Sequence, residues 1–476
     1  MLVRLAIVWL MLAHLAAAAA AGEPRLVATT GLEVEGLEQV LGDASLYVGD
    51  APTQGTPGEA LERLRLRERD TDLLGVLALD YYADRLQWTP RLSGELKLGR
   101  RRRVVRADGR TVLLGDAQEG LAIENLFFWD EQRDEARSTG QNLAYLRWEK
   151  PLAEDATLSL RGGFDLSWAS GDSLASLFDY RRGTLRCALR HGTEARYRWA
   201  IEYARKWVAA ESRGAYGALV VEAERSIFSL SGSSDVDGRL ERRVYGADGA
   251  GDSDGEEASG GLRAYWDGEL GGRAVRPIAG WEVEARLRLG GTLYDDEGEA
   301  ELGSVYEDRL RAELVLLMRR PLWGDAGERV LLAGASPAGL LASLEVAAGP
   351  TAELLRVRGG DGDYGSAGGR LQICTQGGAA LGGAWLDVDL EIGRRDYHAD
   401  GEALTLDVDG TSFSLAQSDY TYYEISAIGG GRLPLQLEWE VYGSWDQELH
   451  TDPNDNGKLL SLRIALQRRW DLLGAS

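Results

Sequence analysis

The sequence predicts an all-β chain that closes into an antiparallel barrel spanning a membrane, and three observations carry that expectation. Candidate strands alternate apolar and polar residues over ten or more positions, the connections alternate between short and long, and tryptophans gather at strand ends. The last run, Leu459 to Trp470, shows the alternation best. Leu460, Leu462, Ile464, Leu466 and Trp470 share one face, broken only by Arg468, while Ser461, Arg463, Ala465, Gln467 and Arg469 share the other. Successive side chains of a strand point to opposite sides, so this strand has one apolar and one charged face. Strands of a soluble sandwich run to about 5–6 residues, whereas a tilted strand needs about 9–11 to cross a bilayer, and the runs here reach the longer figure.

In chain order, Arg4, an apolar run from Leu5 through Leu15 and an alanine tract ending before Gly22 read as a signal peptide over residues 1–22. No later window offers 18 uninterrupted apolar residues, so a membrane would be crossed by strands. Residues 23–70 are weakly periodic and rich in turn formers from Gly49 to Gly58, which suggests an N-terminal arm or plug-like segment. Within it, Leu61 to Arg69 could begin a strand or form a short charged helix. Residues 71–476 are expected to form the barrel.

Its alternation is persistent. Leu158, Leu160, Gly162, Phe164, Leu166 and Trp168 oppose Ser159, Arg161, Gly163, Asp165 and Ser167. Tyr197, Trp199, Ile201 and Tyr203 oppose Arg196, Arg198, Ala200 and Glu202; Trp281, Val283, Ala285, Leu287 and Leu289 oppose Glu282, Glu284, Arg286 and Arg288. Leu386, Val388, Leu390 and Ile392 oppose Asp387, Asp389 and Glu391, and Leu437, Trp439, Val441 and Trp445 oppose Glu438, Glu440, Tyr442 and Ser444. A helix would scatter the charges at a period of 3.6.

Connections such as Lys150 to Ala156 and Gln376 to Gly383 are short, whereas Gly246 to Glu257 and Tyr397 to Asp419 are long and polar, the asymmetry of a transmembrane barrel. The implied strand count is about 16–18, an even number being the rule for such barrels. Trp148, Trp168, Trp207, Trp281, Trp445 and Trp470 are expected to form interfacial girdles. The competing soluble architecture, a propeller, finds no blade-length repeat.

The net charge of −23 argues against nucleic acid as a partner. The polar faces, by contrast, are not evenly mixed in sign. Arg147, Arg161, Arg186, Arg190, Arg196 and Arg198 come from the first half of the chain, and Asp387, Asp389, Glu391, Glu438 and Glu440 from the second. In a barrel these would form facing basic and acidic walls, or else pair with neighbours and merely stabilise a filled lumen. The two cysteines fall on opposite faces: Cys187 is in phase with Leu185 and Leu189, outward, and Cys374 is out of phase with Leu371 and Ile373, inward, so no disulfide is expected.

No catalytic signature stands out. His191, His398 and His450 lie in three different connections, the last two near Asp396, Asp400 and Asp452, and there is no Gly-x-Ser-x-Gly elbow. Asp452, Asn454, Asn456 and Gly457 begin a calcium-loop pattern, but its twelfth position is Arg463 where a bidentate carboxylate is needed. No metal or cofactor is expected.

The closing strand resembles the last strand of bacterial outer-membrane β-barrels of the porin kind, although residues Asp471 to Ser476 follow Trp470 where such strands usually end on an aromatic. From Asn142 to Arg205, the order Leu-Ala-Tyr-Leu-Arg-Trp, Leu-Arg-Gly-Gly-Phe-Asp-Leu-Ser-Trp and Phe-Asp-Tyr-Arg-Arg-Gly-Thr-Leu-Arg is similar to strands of alginate-export-type porins. The first resemblance implies an outer-membrane location, lipid and lipopolysaccharide as surroundings, and delivery by the barrel-assembly machinery. The expected function is passive passage of small hydrophilic solutes, anionic or zwitterionic. The second resemblance implies instead export of an anionic polysaccharide. A non-conducting platform, or a rim-site enzyme using His398 or His450, are the remaining readings.

Overall fold

A computed structural model describes residues 24–40, 45–47, 67–83, 88–114, 120–133, 137–170, 180–192, 195–208, 215–229, 231–245, 264–295, 308–323, 341–358, 363–377, 383–397, 404–408, 411–415, 419–450 and 456–473. The candidate signal peptide, residues 1–22, and the charged run 61–66 lie outside the described residues.

The wall contains β1 (Pro24–Val40), β3 (Arg67–Ala83), β4 (Trp88–Leu98), β5 (Arg102–Leu114), β6 (Gly120–Gln132), β7 (Arg137–Ala153), β8 (Ala156–Ser170), β9 (Tyr180–His191), β10 (Ala195–Val208) and β11 (Tyr216–Ser229). It continues through β12 (Gly232–Tyr245), β13 (Tyr265–Ile278), β14 (Trp281–Tyr294), β15 (Arg309–Trp323), β16 (Leu341–Val357), β17 (Tyr364–Gly377), β18 (Trp385–Tyr397), β21 (Tyr420–Leu433), β22 (Leu437–His450) and β23 (Gly457–Leu473). Each pairs antiparallel with its neighbours, and β23 pairs with β1, so the sheet is a closed ring of 20 strands. Three short strands, β2 (Ser45–Tyr47), β19 (Leu404–Val408) and β20 (Thr411–Leu415), form a separate small sheet.

The count is 20 rather than 16–18, and the N-terminal segment is the main reason. Pro24–Val40 is no arm: it is a 17-residue barrel strand inserted between β3 and the closing strand. The barrel therefore begins at residue 24, not 71. Its alternation is easy to miss because the outward positions Ala28, Thr30 and Gly36 are small or polar, leaving Leu32 and Val34 as the apolar signal. The hairpin β4–β5 is also masked in the sequence, by the run Arg100 to Arg103 at its turn. That turn closes because the Asp72 carboxylate accepts from the backbone N–H groups of Arg100, Arg101 and Arg102 at 3.2, 3.0 and 3.0 Å.

Alternation divides the wall as the sequence suggests. Outward side chains include Leu185, Leu310, Trp199 and Ile201, at 62, 60, 56 and 56% exposure. So many large apolar groups bare on one continuous surface need lipid rather than water beside them. Because the ring has no edge, backbone groups within the wall find partners in the neighbouring strand, as a hydrocarbon surrounding demands. Arg468, the one polar outward residue of the closing strand's apolar set, stacks its guanidinium 3.9 Å from the Trp470 ring centre, at the strand's end.

Loop asymmetry follows the expected sense: one end carries tight turns at 154–155, 230–231 and 279–280, and the other carries 246–264, 296–307 and 398–419. Three connections break the pattern, and 133–136, four residues at the long-loop end, is one of them. The turn at 99–101 is short at the long-loop end, for the capping reason given above, and 324–340 is long at the short-turn end. The long-loop end is called outer below.

Candidate functional site

Register fixes which residues face the lumen. Arg147 pairs with Arg161 and Arg161 with Arg186, an arginine ladder across β7, β8 and β9; Arg190 pairs with Arg198 on β10, one inward position from Arg196. Of the described inward side chains on β7–β10, eight are cations (these six with Arg182 and Lys206) and three are carboxylates (Glu149, Asp165 and Glu202).

The other sign is concentrated on β18, β21 and β22. Asp387, Asp389 and Glu391 face inward on β18, and Glu438 and Glu440 on β22. Sequence reasoning missed Glu424, Asp446 and Glu448 in the same arc. Glu391 is opposite Glu424, and Glu424 opposite Asp446, so like charges line up across three strands. These eight carboxylates face only two inward cations of the same strands, Arg395 and Arg432. Directly opposed like charges cost a sheet stability, so their accumulation calls for another reason.

The ring geometry places the two arcs. Ten strands separate opposite sides of a 20-strand ring, and ten steps from β7–β10 lead to β17, β18, β21 and β22. Basic and acidic arcs are diametrically opposed. Neither is bare: Arg186 pairs with Glu202 at 3.4 Å and also with Glu222, Arg198 with Glu224 at 3.5 Å, and Arg161 with Glu124 at 3.8 Å while lying 3.7 Å from the Tyr145 ring centre. Asp389 is bound by Arg370, and Glu391 accepts from Tyr422 at 3.2 Å and Thr351 at 3.3 Å.

A second inward feature went unread in the sequence. Near the outer end, tyrosines at the tips of neighbouring strands form rows: Tyr216, Tyr245, Tyr265 and Tyr294 with ring centres 5.8, 6.4 and 5.6 Å apart, and Tyr364, Tyr397 and Tyr420 at 5.6 and 6.3 Å. Cations are threaded between them. Lys206 lies 4.5 and 5.8 Å from Tyr180 and Tyr216, Arg243 lies 4.4 and 5.2 Å from Tyr216 and Tyr265, and Arg395 lies 4.1 and 5.3 Å from Tyr364 and Tyr420. In each case the cation sits on an ascending strand between tyrosines on the two descending neighbours. Arg-x-Tyr at 243–245 and 395–397 is the signal that could have revealed it.

Cys187 lies on the outward face and Cys374 on the inward face, on β9 and β17, and both are free. The six tryptophans all lie on the outward face. Trp168 and Trp207 stand toward the outer end and Trp148, Trp281 and Trp470 toward the other; Trp445 sits within its strand rather than at the tip. The histidines form no common site: His191 is 3.5 Å from Asp155 at a tight turn, and His450 is at the outer end with its ring 4.6 Å from Tyr420; His398 lies outside the described residues. Asn456, from the calcium-like pattern, accepts from the backbone N–H of His450 at 2.7 Å, and Arg463 turns inward to Glu33 at 2.8 Å.

Closed ring, lipid-facing apolar belt and charged interior together define a porin-like β-barrel of the bacterial outer membrane. No protein-family model matches the sequence, and no characterised protein matches it by sequence. Solved structures with a similar course of the chain include OprD of Pseudomonas aeruginosa (10% identity, 95% of this chain and 97% of that one, TM-score 0.43) and a BenF-like porin of Pseudomonas fluorescens Pf-5 (9%, 95% and 100%, 0.41). The ferric citrate transporter FecA is similar at 11% identity over 93% of this chain and 78% of that one, with a TM-score of 0.48.

Proposed function

We propose that the barrel is a channel for passive passage of small hydrophilic solutes, with anionic or zwitterionic ones preferred. The observation that carries this reading is the diametric opposition of the β7–β10 cations and the β18–β22 carboxylates. With strands about 4.8 Å apart and tilted about 40°, 20 of them enclose a backbone diameter of roughly 40 Å, which leaves room for water between opposing side chains. Across that water the two arcs make a transverse field, in which a zwitterion aligns its carboxylate toward Arg161 and Arg186 and its ammonium toward Glu424 and Asp446. A long polyanion gains on the basic side and is repelled on the acidic one, so the small-solute reading accounts for both walls where polysaccharide export accounts for one. The tryptophan levels would mark the two membrane interfaces.

Single-channel recording in planar bilayers tests this. The expected result is stable ion current, shifted toward cations by Arg196→Glu with Arg198→Glu. A barrel that inserts but never conducts would make it a platform, and indifference to both reversals would remove these two arginines from the conducting path.

A further inference from the structure

The outward face holds arginines as well as apolar groups. At the outer end, Arg103 is 3.6 Å from Glu131, Arg356 is 2.7 Å from Asp363, Arg394 is 2.5 Å from Asp396, and Arg242 is held by both oxygens of Asp295. Each carries its own counter-charge, as an arginine near hydrocarbon should. Arg181 on β9 and Arg205 on β10 are the exceptions: both are exposed on the outward face, and among the described residues neither has a carboxylate in reach.

Their surroundings are shaped. Arg205 is flanked in register by Gly183 on one side and Gly217 on the other, so neither neighbouring strand adds a side chain beside it, and its guanidinium lies 5.6 Å from the Trp207 ring centre. Trp207 borders this notch over Gly183, its ring 3.5 Å from where a β-carbon would stand, and the Tyr203 hydroxyl borders it over Gly217 at 3.6 Å. Arg181 is directly opposite Trp207, one diagonal step from Arg205. Two guanidiniums, a phenol and an indole thus rim a shallow depression at the outer aromatic level, facing lipid.

We propose that this notch binds a phosphate of lipopolysaccharide in the outer leaflet. Guanidinium offers paired N–H donors that match phosphate oxygens, Tyr203 and Trp207 supply flat apolar surface for the first part of the acyl chains, and the glycines let those two side chains lie close against the wall so that neither stands in front of the guanidiniums. The site lies on the outside of the barrel and does not depend on whether the lumen conducts.

The test uses the whole purified barrel in non-ionic detergent, with bisphosphoryl lipid A as probe and dephosphorylated lipid A and phosphatidylglycerol as comparators. Native mass spectrometry should show the bisphosphoryl form bound in preference to both comparators. Arg181→Gln with Arg205→Gln should weaken it about 10- to 100-fold, the scale for losing charge-assisted hydrogen bonds. Gly217→Leu keeps both charges but fills the notch and should weaken binding similarly, so either variant decides the question if the other fails to show heat-modifiable migration. Unchanged lipid A binding in a folded variant overturns the proposal. Equal binding of phosphatidylglycerol by the native chain also overturns it, reducing the notch to a general anion contact.

Discussion

Replacing Glu33 with glutamine should loosen the seam where the barrel closes. Glu33 is fully buried, at 0% exposure, on the inward face of the first strand. Lys97 on β4 reaches across β3 to bond both of its oxygens, at 2.9 and 3.0 Å, and Arg463 on the last strand binds from the other side at 2.8 Å. The Lys97 side chain is 11% exposed and that of Arg463 39%, and this difference sets the magnitude. Removing one member of a buried pair costs about 3–5 kcal/mol because the other charge is stranded. Arg463 can turn to lumen water, where a pair contributes only about 0–1 kcal/mol. The loss expected for Glu33→Gln is therefore about 3 kcal/mol, nearly all of it from Lys97 and at the low end of that range because Lys97 keeps Glu95 at 3.9 Å.

A double-mutant cycle checks the assignment. Lys97→Met alone should cost a similar amount, whereas both changes together should cost about 2 kcal/mol less than the sum, since neither charge then remains unpaired. Urea unfolding in detergent, followed by gel mobility without boiling and by tryptophan fluorescence, reads each midpoint. Strict additivity, or a Glu33→Gln midpoint equal to the native one, would refute the claim that this network ties the first strand to both neighbours' sides of the seam.

Three further outcomes are expected. A membrane-impermeant thiol reagent should label Cys374, which faces the lumen, and leave Cys187, which faces lipid, to an apolar maleimide; reversed labelling would show a register slip in one of the two strands. Arg243→Met and Arg395→Met should each cost about 2–4 kcal/mol in the same unfolding assay, because each loses two cation–π contacts and an ion pair, to Glu241 and to Glu353 respectively, and a near-native midpoint in either would show that its tyrosine row does not depend on the cation. Gly163→Val and Gly393→Val should each destabilise by about 1–3 kcal/mol, because a β-carbon there collides with the ring of Tyr145 or Tyr422; native stability in both would mean those rings move aside freely.

Strand identity and facing were legible wherever lipid on one side and water on the other write a period of two into the chain. That signal is local, so Trp281–Tyr294 or Trp385–Tyr397 could be assigned without knowing their neighbours. It failed where local residues do not carry it. The outward face of Pro24–Val40 offers Ala28, Thr30 and Gly36, and its membership in the wall rests on partners more than 400 residues away, such as Arg463 for Glu33. The tyrosine rows were hidden for a related reason: Tyr216 and Tyr245 are 29 positions apart and meet only through register. Facing of the charged residues was readable; which of them are neighbours was not, as Glu424 and Asp446 show.

Strand number is what turns that facing into a function. Both arcs were visible in the sequence as residues of one sign from each half, but opposition depends on how many strands complete the ring. Counting from residue 71 leaves out the strand between β23 and β3, and with it the correct antipode of β7–β10. With Pro24–Val40 in place, ten steps in either direction from β9, the strand of Arg186, end on β21, the strand of Glu424. The arginines are partly compensated by Glu222 and Glu224 on β11 and by Glu124 on β6, whereas Glu424 and Asp446 have no cation bonded to them among the described residues. Among the described residues, Glu424 and Asp446 are thus an unpaired part of the acidic arc, as Arg190 and Arg196 are of the basic one. Neutralising Glu424 and Asp446 together should weaken the alignment of a zwitterion more than neutralising Arg186 alone, because Arg186 already spends much of its charge on its own neighbours.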